Sequence, residues 1–355
     1  MPHQQDKSRS PFYPVGKLPY EVLARLVAQA PVTDPRVILG PGVGLDCAVL
    51  DVGEQLLVLK TDPITFTTSE IGWYGVQVNA NDIATSGAEP RWFLATLLLP
   101  EHQTTPALVE DIIEQISSAC LKIGVSLIGG HTEITYDLER PLLVGTMIGE
   151  VSRDRLITPR GAAPGDRILL TKGVPIEATA ILAREFGGDL EGVLSADEID
   201  QARNFLYQPG ISVVQDAQVA IRSGKVTAMH DPTEGGLAGA LWELAEASGC
   251  SLVVDTNVVN VPQLSARICA AFGLDPLAAI ASGALLLTVP QRDVLPVCQA
   301  LEGEGIHCSE IGLVEAGQFS VWQRRGKERV LLPRPERDEI TRVFFKKDCQ
   351  NLDEF

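Results

Sequence analysis

The stretch Val78-Asn79-Ala80-Asn81-Asp82-Ile83-Ala84-Thr85-Ser86-Gly87-Ala88-Glu89-Pro90, running on into Arg91-Trp92-Phe93-Leu94-Ala95-Thr96-Leu97-Leu98-Leu99, carries the reading of the fold. Over residues 72–86 the apolar positions Val76, Val78, Ile83 and Ala84 recur at helical spacing, which predicts a buried helix. Gly87 supplies the stop, because a glycine just past the last turn adopts the left-handed conformation at no steric cost. Residues 92–99 then form an almost unbroken apolar run of strand length. Asn79, Asn81 and Asp82 interrupt the helix pattern. Polar groups are costly to bury without partners, so their place in an otherwise apolar helix predicts that something binds them.

Working outward, the runs 48–51 and 56–60, separated by Gly53, predict a pair of strands joined as a hairpin. Before them, Tyr20, Val22, Leu23, Leu26 and Val27 recur at helical spacing after Pro19. Beyond the central stretch, residues 105–123 predict an amphipathic helix with Leu108, Ile112, Ile113, Ile116, Ala119 and Cys120 on one face and Gly124 at its end. Strands follow at 125–128 and 142–148. This order predicts an α+β domain whose helices cover one face of a sheet. The Pro- and Gly-rich connection 159–166 opens a second unit. Its expected elements are strands at 168–170, 252–254, 284–289 and 309–314, with helices at 176–186, 213–223, 237–248, 263–272 and 294–303. The expected organisation is an arm (1–15), a first domain (16–155), a second domain (156–335) and a tail (336–355).

With 355 residues, 45% of them apolar, the chain can bury a core in each of two domains. A formal charge of −17 argues against binding nucleic acid or an anionic membrane surface, since both require clustered lysine and arginine. No apolar run is long and unbroken enough to span a bilayer, and residues 4–10 are polar where a secretory signal would be apolar. A cytoplasmic protein is expected. The seven cysteines form no C-x-x-C pair, so buried free thiols are the better reading than a zinc knot or a redox motif.

Four segments place acids, amides and glycines where packing alone would favour apolar residues. They are Gly42-Val43-Gly44-Leu45-Asp46-Cys47-Ala48, Lys60-Thr61-Asp62-Pro63, the stretch from Asn79 to Pro90, and Ile128-Gly129-Gly130-His131-Thr132-Glu133. Asp46 or Asp62 alone could equally cap a turn. Paired glycines such as Gly129-Gly130 would let a phosphate approach backbone N–H groups, and Glu133 could reach a hard cation. Taken together, Asp46, Asp62, Asp82 and Glu133 offer the oxygen ligands that one or two Mg²⁺ ions share with substrate phosphates. Nucleotide binding is the economical expectation, although neither G-x-x-x-x-G-K-[ST] nor a strand-to-helix G-x-G-x-x-G is present.

Thr61-Asp62-Pro63, the run from Asn79 to Pro90, Gly129-Gly130-His131-Thr132-Glu133 and His230-Asp231-Pro232-Thr233-Glu234-Gly235-Gly236-Leu237 resemble the aminoimidazole ribonucleotide (AIR) synthase-related superfamily over about residues 17–316. Its members include AIR synthase, selenophosphate synthetase, thiamine-monophosphate kinase and HypE, and the likeness is nearest to HypE-like proteins. The resemblance implies a two-domain α+β fold: an N-terminal sheet forming a barrel shared across a homodimer, and a C-terminal α/β sandwich. It implies ATP with Mg²⁺ near the shared interface, and an acceptor that is a small molecule or is carried on a protein. Carried over by position, Asp46, Asp62, Asp82 and Glu133 would hold metal, and Asp62, Asp82 and Lys17 would act on phosphate, although Lys17 reads equally as a solvated lysine. Asn79 and Asn81 would order the site. Gly129, Gly130, His131, Thr132, Asp231, Thr233, Gly235 and Gly236 would shape the nucleotide cleft, with His131 and His230 in hydrogen-bonding roles.

Two departures stand out. Leu45 replaces one acid of the family's common pair, and Cys349 lies six residues before the end of the sequence, without the Pro-Arg context of the carrier cysteine that closes HypE proteins. The expected activity is therefore ATP-dependent phosphorylation or activation of an acceptor, without a terminal carrier thiol. The rival expectation is a nucleotide-binding regulatory or assembly partner with little turnover.

Overall fold

The computed structural model describes residues 13, 18, 20–42 and 44–344. Helix α1 (Tyr20–Val27) and strand β1 (Val37–Leu39) lead into the hairpin of β2 (Ala48–Asp51) and β3 (Leu56–Ile64), in which Ala48 faces Leu59 and Asp51 faces Leu56. Helix α2 (Ile71–Thr85) is buried along nearly its whole length and stops at Gly87, whose φ is +78°. Strand β4 (Glu89–Pro100), helix α3 (Pro106–Ile123), β5 (Ser126–Thr135) and β6 (Leu142–Val151) complete the first half. Helix α3 begins where the Thr105 hydroxyl accepts from the Leu108 N–H and ends at Gly124 in the left-handed conformation. These strands form one sheet in the order β1-β2-β3-β6-β4-β5.

Strict alternation tells which side of this sheet is covered. Along β6 the odd residues Leu143, Gly145, Met147, Gly149 and Val151 are buried, and a Cβ at Gly149 would strike Ile83 of α2. The even residues, among them Val144 and Ile148, lie half-buried on the opposite face. Helices α2 and α3 thus cover one side of the sheet, as the sequence predicts.

The second half comprises β7 (Asp166–Thr171), α4 (Ile176–Glu185), α5 (Ala196–Arg203), α6 (Val214–Ser223), β8 (Ala228–His230), α7 (Gly236–Ser248), β9 (Ser251–Val254), α8 (Gln263–Phe272), β10 (Leu286–Pro290), α9 (Val294–Gly303), β11 (Cys308–Glu315), β12 (Ser320–Arg325) and β13 (Glu328–Leu331). Its sheet runs β13-β12-β9-β11-β7-β10-β8. Ile168 and Leu170 pack with α7 residues Leu237, Leu241 and Leu244. Leu169 belongs instead to the core cluster that includes Ile181 of α4, Ala217 of α6 and Val297 of α9. Helices on both faces explain why β7, β9 and β10 read as unbroken apolar runs. That second cluster extends into the first half through Ile71, Val76 and Ile83 of α2, so a layer of helices lies between the two sheets.

Several elements went unread in the sequence. Helix α5 carries a capping box in which Ser195 and Glu198 cap each other, an S-x-x-E signal that is visible in Ser195-Ala196-Asp197-Glu198. Strands β1, β8, β12 and β13 are short or polar and owe their assignment to pairing. Among the described residues no helix is long and apolar enough to cross a membrane.

One expectation is corrected here. Residues 129–133 were expected to follow a strand ending at 128, but β5 continues through them to Thr135. At Gly130, with φ +147°, an added Cβ would sit 1.9 Å from the Ala95 carbonyl oxygen of β4. The glycine is required by the close approach of two strand backbones.

Candidate active site

Four separate segments deliver acids to one place. Asp46 comes from the loop ahead of β2, Asp62 from β3, Asp82 from α2, and Asp231 from the residue after β8. On β3, Lys60 and Asp62 share a face because strand side chains alternate. That face looks toward α2, and Lys60 Nζ lies 3.1 Å from both Asp62 Oδ2 and Asp82 Oδ2. Burial alone would pull Lys60 down, but the surrounding carboxylates, Asp82 foremost, outweigh it and hold its pKa well above the ordinary value. Burial pushes Asp82 above the usual carboxylate range, against the pull of Lys60 and with Asp231, Asp46 and Asp62 adding to the rise.

On the far side of the cluster, His230 is buried between two acids. Its Nδ1 lies 3.2 Å from Asp46 Oδ2 and its Nε2 lies 2.8 Å from Glu243 Oε2 on α7. Asp231 is fully buried, and among the described residues neither carboxylate oxygen has a hydrogen-bond partner. Its pKa is pushed up to about 7 by burial and by Asp46, despite His230. One ligand atom from each of Asp46, His230 and Asp231 lies within 4.8 Å of the others, a spacing and donor set that fit a divalent cation.

The two buried asparagines are engaged by the protein itself. Asn79 Oδ1 accepts the Asp62 N–H at 2.9 Å, and Asn79 Nδ2 donates to the Gly75 carbonyl at 2.8 Å. Asn81 Nδ2 donates to the Ile211 carbonyl and Asn81 Oδ1 accepts the Val213 N–H, both at 2.8 Å. The sequence expectation that something binds these amides is met at least by the protein itself, through backbone groups. Asn79 sets the backbone of Asp62, and Asn81 joins α2 to the second half.

Beside Asp62 opens a cleft with Phe66 and Val78 on its apolar walls and Glu177, Thr233 and Glu234 among its polar lining. Glu177 is buried, and burial pushes its pKa up to about 8. The turn 231–236 ends at α7. Gly235 and Gly236 have φ of +83° and +60°, and a Cβ at Gly236 would lie 2.6 Å from the Ala279 carbonyl oxygen. Gly235 N donates to Asp338 Oδ2 at 2.7 Å, which pins the turn.

Within the single chain, Asp46, Asp62, Asp82, Asp231 and Thr233 come together around this region, while Gly129, Gly130, His131, Thr132 and Glu133 do not join them. β5 is an edge strand with β4 and β6 between it and β3, and Glu133 is exposed, 3.3 Å from His131 Nε2. Lys17 and Cys349 lie outside the described residues. Lys60, Glu243 and Glu177 were not singled out from the sequence. Lys60 carried a signal, standing two residues from Asp62 on a strand. Glu243 and Glu177 carried none, since each looks like an ordinary helical acid.

The profile described as AIR synthase related protein, N-terminal domain, matches residues 44–151, and that of the C-terminal domain matches residues 163–323. The chain belongs to the AIR synthase-related family. The carbamoyl dehydratase HypE of Cupriavidus necator is 29% identical over 279 residues, covering 76% of each chain. The thiamine-monophosphate kinase of Archaeoglobus fulgidus is 26% identical over 231 residues, covering 63% of this chain and 71% of its own. Among solved structures, hydrogenase maturation protein HypE in complex with ATP superposes with a TM-score of 0.68 at 24% identity, covering 90% of this chain and 96% of that one.

Proposed function

We propose that this chain is an ATP-dependent enzyme that holds Mg-ATP at the acid cluster and uses the γ-phosphate to phosphorylate or activate a small-molecule or protein-borne acceptor. The observation that carries this reading is the convergence of Asp46, Asp62, Asp82 and Asp231 from four segments beside an open cleft. Those four carboxylates face two basic groups, Lys60 and His230, which leaves an excess of negative charge suited to divalent cations. Similarity to a kinase and to an ATP-bound maturation protein points the same way. Mg²⁺ would neutralise phosphate charge there, and catalysis would consist of positioning and electrostatic stabilisation.

In this reading Asp46, Asp62 and Asp82 would hold the metal, which would supply charge neutralisation of the phosphates, and Lys60, 3.1 Å from both Asp62 and Asp82, offsets the repulsion between their carboxylates. Asn79 fixes the Asp62 backbone. The turn bearing Thr233, Gly235 and Gly236 would wall the nucleotide cleft, and Lys17, outside the described residues, would act on a phosphate. We take the two domains as 16–155 and 156–335.

The chain would act as a homodimer, because the sheet face bearing Leu94, Val144 and Ile148 is half-exposed and the edge strand beside it exposes Leu127, Ile128 and Ile134. A second copy laid on that edge would complete a shared barrel and bring residues 129–133, including His131, Thr132 and Glu133, to the interface. Millimolar Mg-ATP should raise the melting temperature by several degrees, since a ligand at about 100 times its Kd adds roughly 2.7 kcal/mol. An unchanged melting curve, with no ADP released in the presence of candidate acceptors, would remove the basis for this function.

A further inference from the structure

The cysteines show no redox spacing in the sequence, yet the fold brings two of them together in its second half. We propose that Cys298 of α9 and Cys308 of β11 are a modification site: a dithiol that hydrogen peroxide converts reversibly to a disulfide, tying the helix to the strand that follows it.

The meeting is set by the way α9 ends. Gly305, at φ +75°, closes the helix: its N–H donates to the Glu302 carbonyl, and the Ile306 N–H donates to the Leu301 carbonyl. Buried Ile306 joins Leu301 in the core, so the chain turns back and sets the first residue of β11 against Cys298. The Glu302 carboxylate fixes that residue by accepting the Cys308 N–H at 3.1 Å, and it faces His307 Nδ1 at 3.1 Å. On its other side Cys308 pairs with Thr171 of β7. The two sulfurs stand 3.4 Å apart. A disulfide needs about 2.05 Å, so they must close by roughly 1.4 Å, within reach of small side-chain rotations.

The pair is also placed to react. Both side chains are half-buried, whereas Cys47, Cys120, Cys250 and Cys269 are buried. Neither lies on the first sheet, whose open face is the one proposed to meet a second copy. The nucleophile toward peroxide is a thiolate. Hydrogen bonding from Cys308 favours the Cys298 thiolate and holds that pKa below the ordinary thiol value, while the same bond and burial push Cys308 up. Among the described residues no third histidine, cysteine or carboxylate gathers with them as a metal ligand, which distinguishes a dithiol from a zinc site. The Cys298 thiolate attacks one peroxide oxygen, the O–O bond breaks, and the departing hydroxide takes up the thiol proton as water. Cys308 then attacks the resulting sulfenic sulfur, the S–O bond breaks, and a second water leaves with the Cys308 proton. The two sulfurs lose two electrons and the peroxide gains two. A thiol reductant reverses the bond.

The test uses the full, reduced chain and reads the bond itself, so it stands or falls independently of ATP use. After peroxide treatment and alkylation of the remaining thiols, cleavage after Glu302 and Glu304 separates the two cysteines. Mass spectrometry should find their peptides still joined in at least about half of the molecules, and dithiothreitol should free them. In the chain unfolded by urea, links should instead scatter among the cysteines. Cys308→Ser should stop the reaction at the sulfenic acid of Cys298, trapped by dimedone. The unmodified chain carries the main readout, so the outcome does not depend on how well a variant folds. Absence of a Cys298–Cys308 link in the folded chain, other cysteine pairs linked to the same extent, or peroxide-treated Cys308→Ser with no sulfenic acid at Cys298 would each overturn the proposal.

Discussion

Asn81 shows how one side chain can hold a fold together. Its amide spans from α2 to the segment ahead of α6, pairing one carbonyl and one N–H that have no other use for each other. Removing it orphans two buried backbone groups, each worth about 1–3 kcal/mol. Asn81→Ala is therefore expected to lower unfolding stability by about 2–6 kcal/mol in urea denaturation; a change below about 0.5 kcal/mol would mean water replaces the amide. Glu177 makes a pH statement. Its folded-state pKa is about 8 against an ordinary 4.5. Between these values the folded protein keeps a proton that the unfolded chain has released, so stability falls as pH rises from about 4.5 to 8 and then levels. The contribution is a few kcal/mol at most. Glu177→Gln should flatten the dependence of the urea midpoint between pH 6 and pH 8 relative to the unmodified protein, and an identical slope in both would refute the assignment.

At the scale of the element, β5 shows two glycines with different jobs. Gly129 has φ +153° and open space around it, so an alanine there meets only backbone strain, on the order of 1–3 kcal/mol. Gly130 has the same strain and, in addition, the Ala95 carbonyl in the way. Gly130→Ala should therefore destabilise the protein more than Gly129→Ala, by at least about 2 kcal/mol in paired thermal melts. Equal effects would show that the strands part easily and that the pair of glycines is kept for a ligand. Helix α2 is the complementary case: it is almost wholly buried, Asn79, Asn81 and Thr85 bond to the protein's own backbone, and Asp82 pairs with Lys60.

For the whole molecule, the central fact is the asymmetry between the two sheets. The second is covered by helices on both faces, while the first has helices on one face and leaves Leu94, Val144 and Ile148 half-exposed on the other. A second copy would bury that face. Ile148→Lys places a charge in the middle of it, and sedimentation is expected to show dimers for the unmodified protein and monomers for the variant, with circular dichroism unchanged. Sedimentation of the unmodified chain as a monomer at micromolar concentration would dismiss the shared barrel.

Periodicity and glycine placement sufficed for the frame: the helix ending at Gly87, the helix between Thr105 and Gly124, the hairpin about Gly53 and the apolar strands of the second half are local patterns, set by steric and solvation effects within a few residues. The acids Asp46, Asp62, Asp82 and Asp231 could also be picked out one by one, as charges standing where packing favours apolar side chains. Their meeting point could not. Lys60 against Asp82, Glu243 behind His230 and Glu177 in the cleft beside Asp62 depend on residues from 13 to more than 100 positions apart coming together, and no local pattern encodes such a distance. The same holds for Asn79 and Asn81, whose buried amides looked in the sequence like ligand contacts. Only the packed structure supplies the carbonyl and N–H groups that satisfy them, because backbone groups are the same at every position and leave no mark in the sequence.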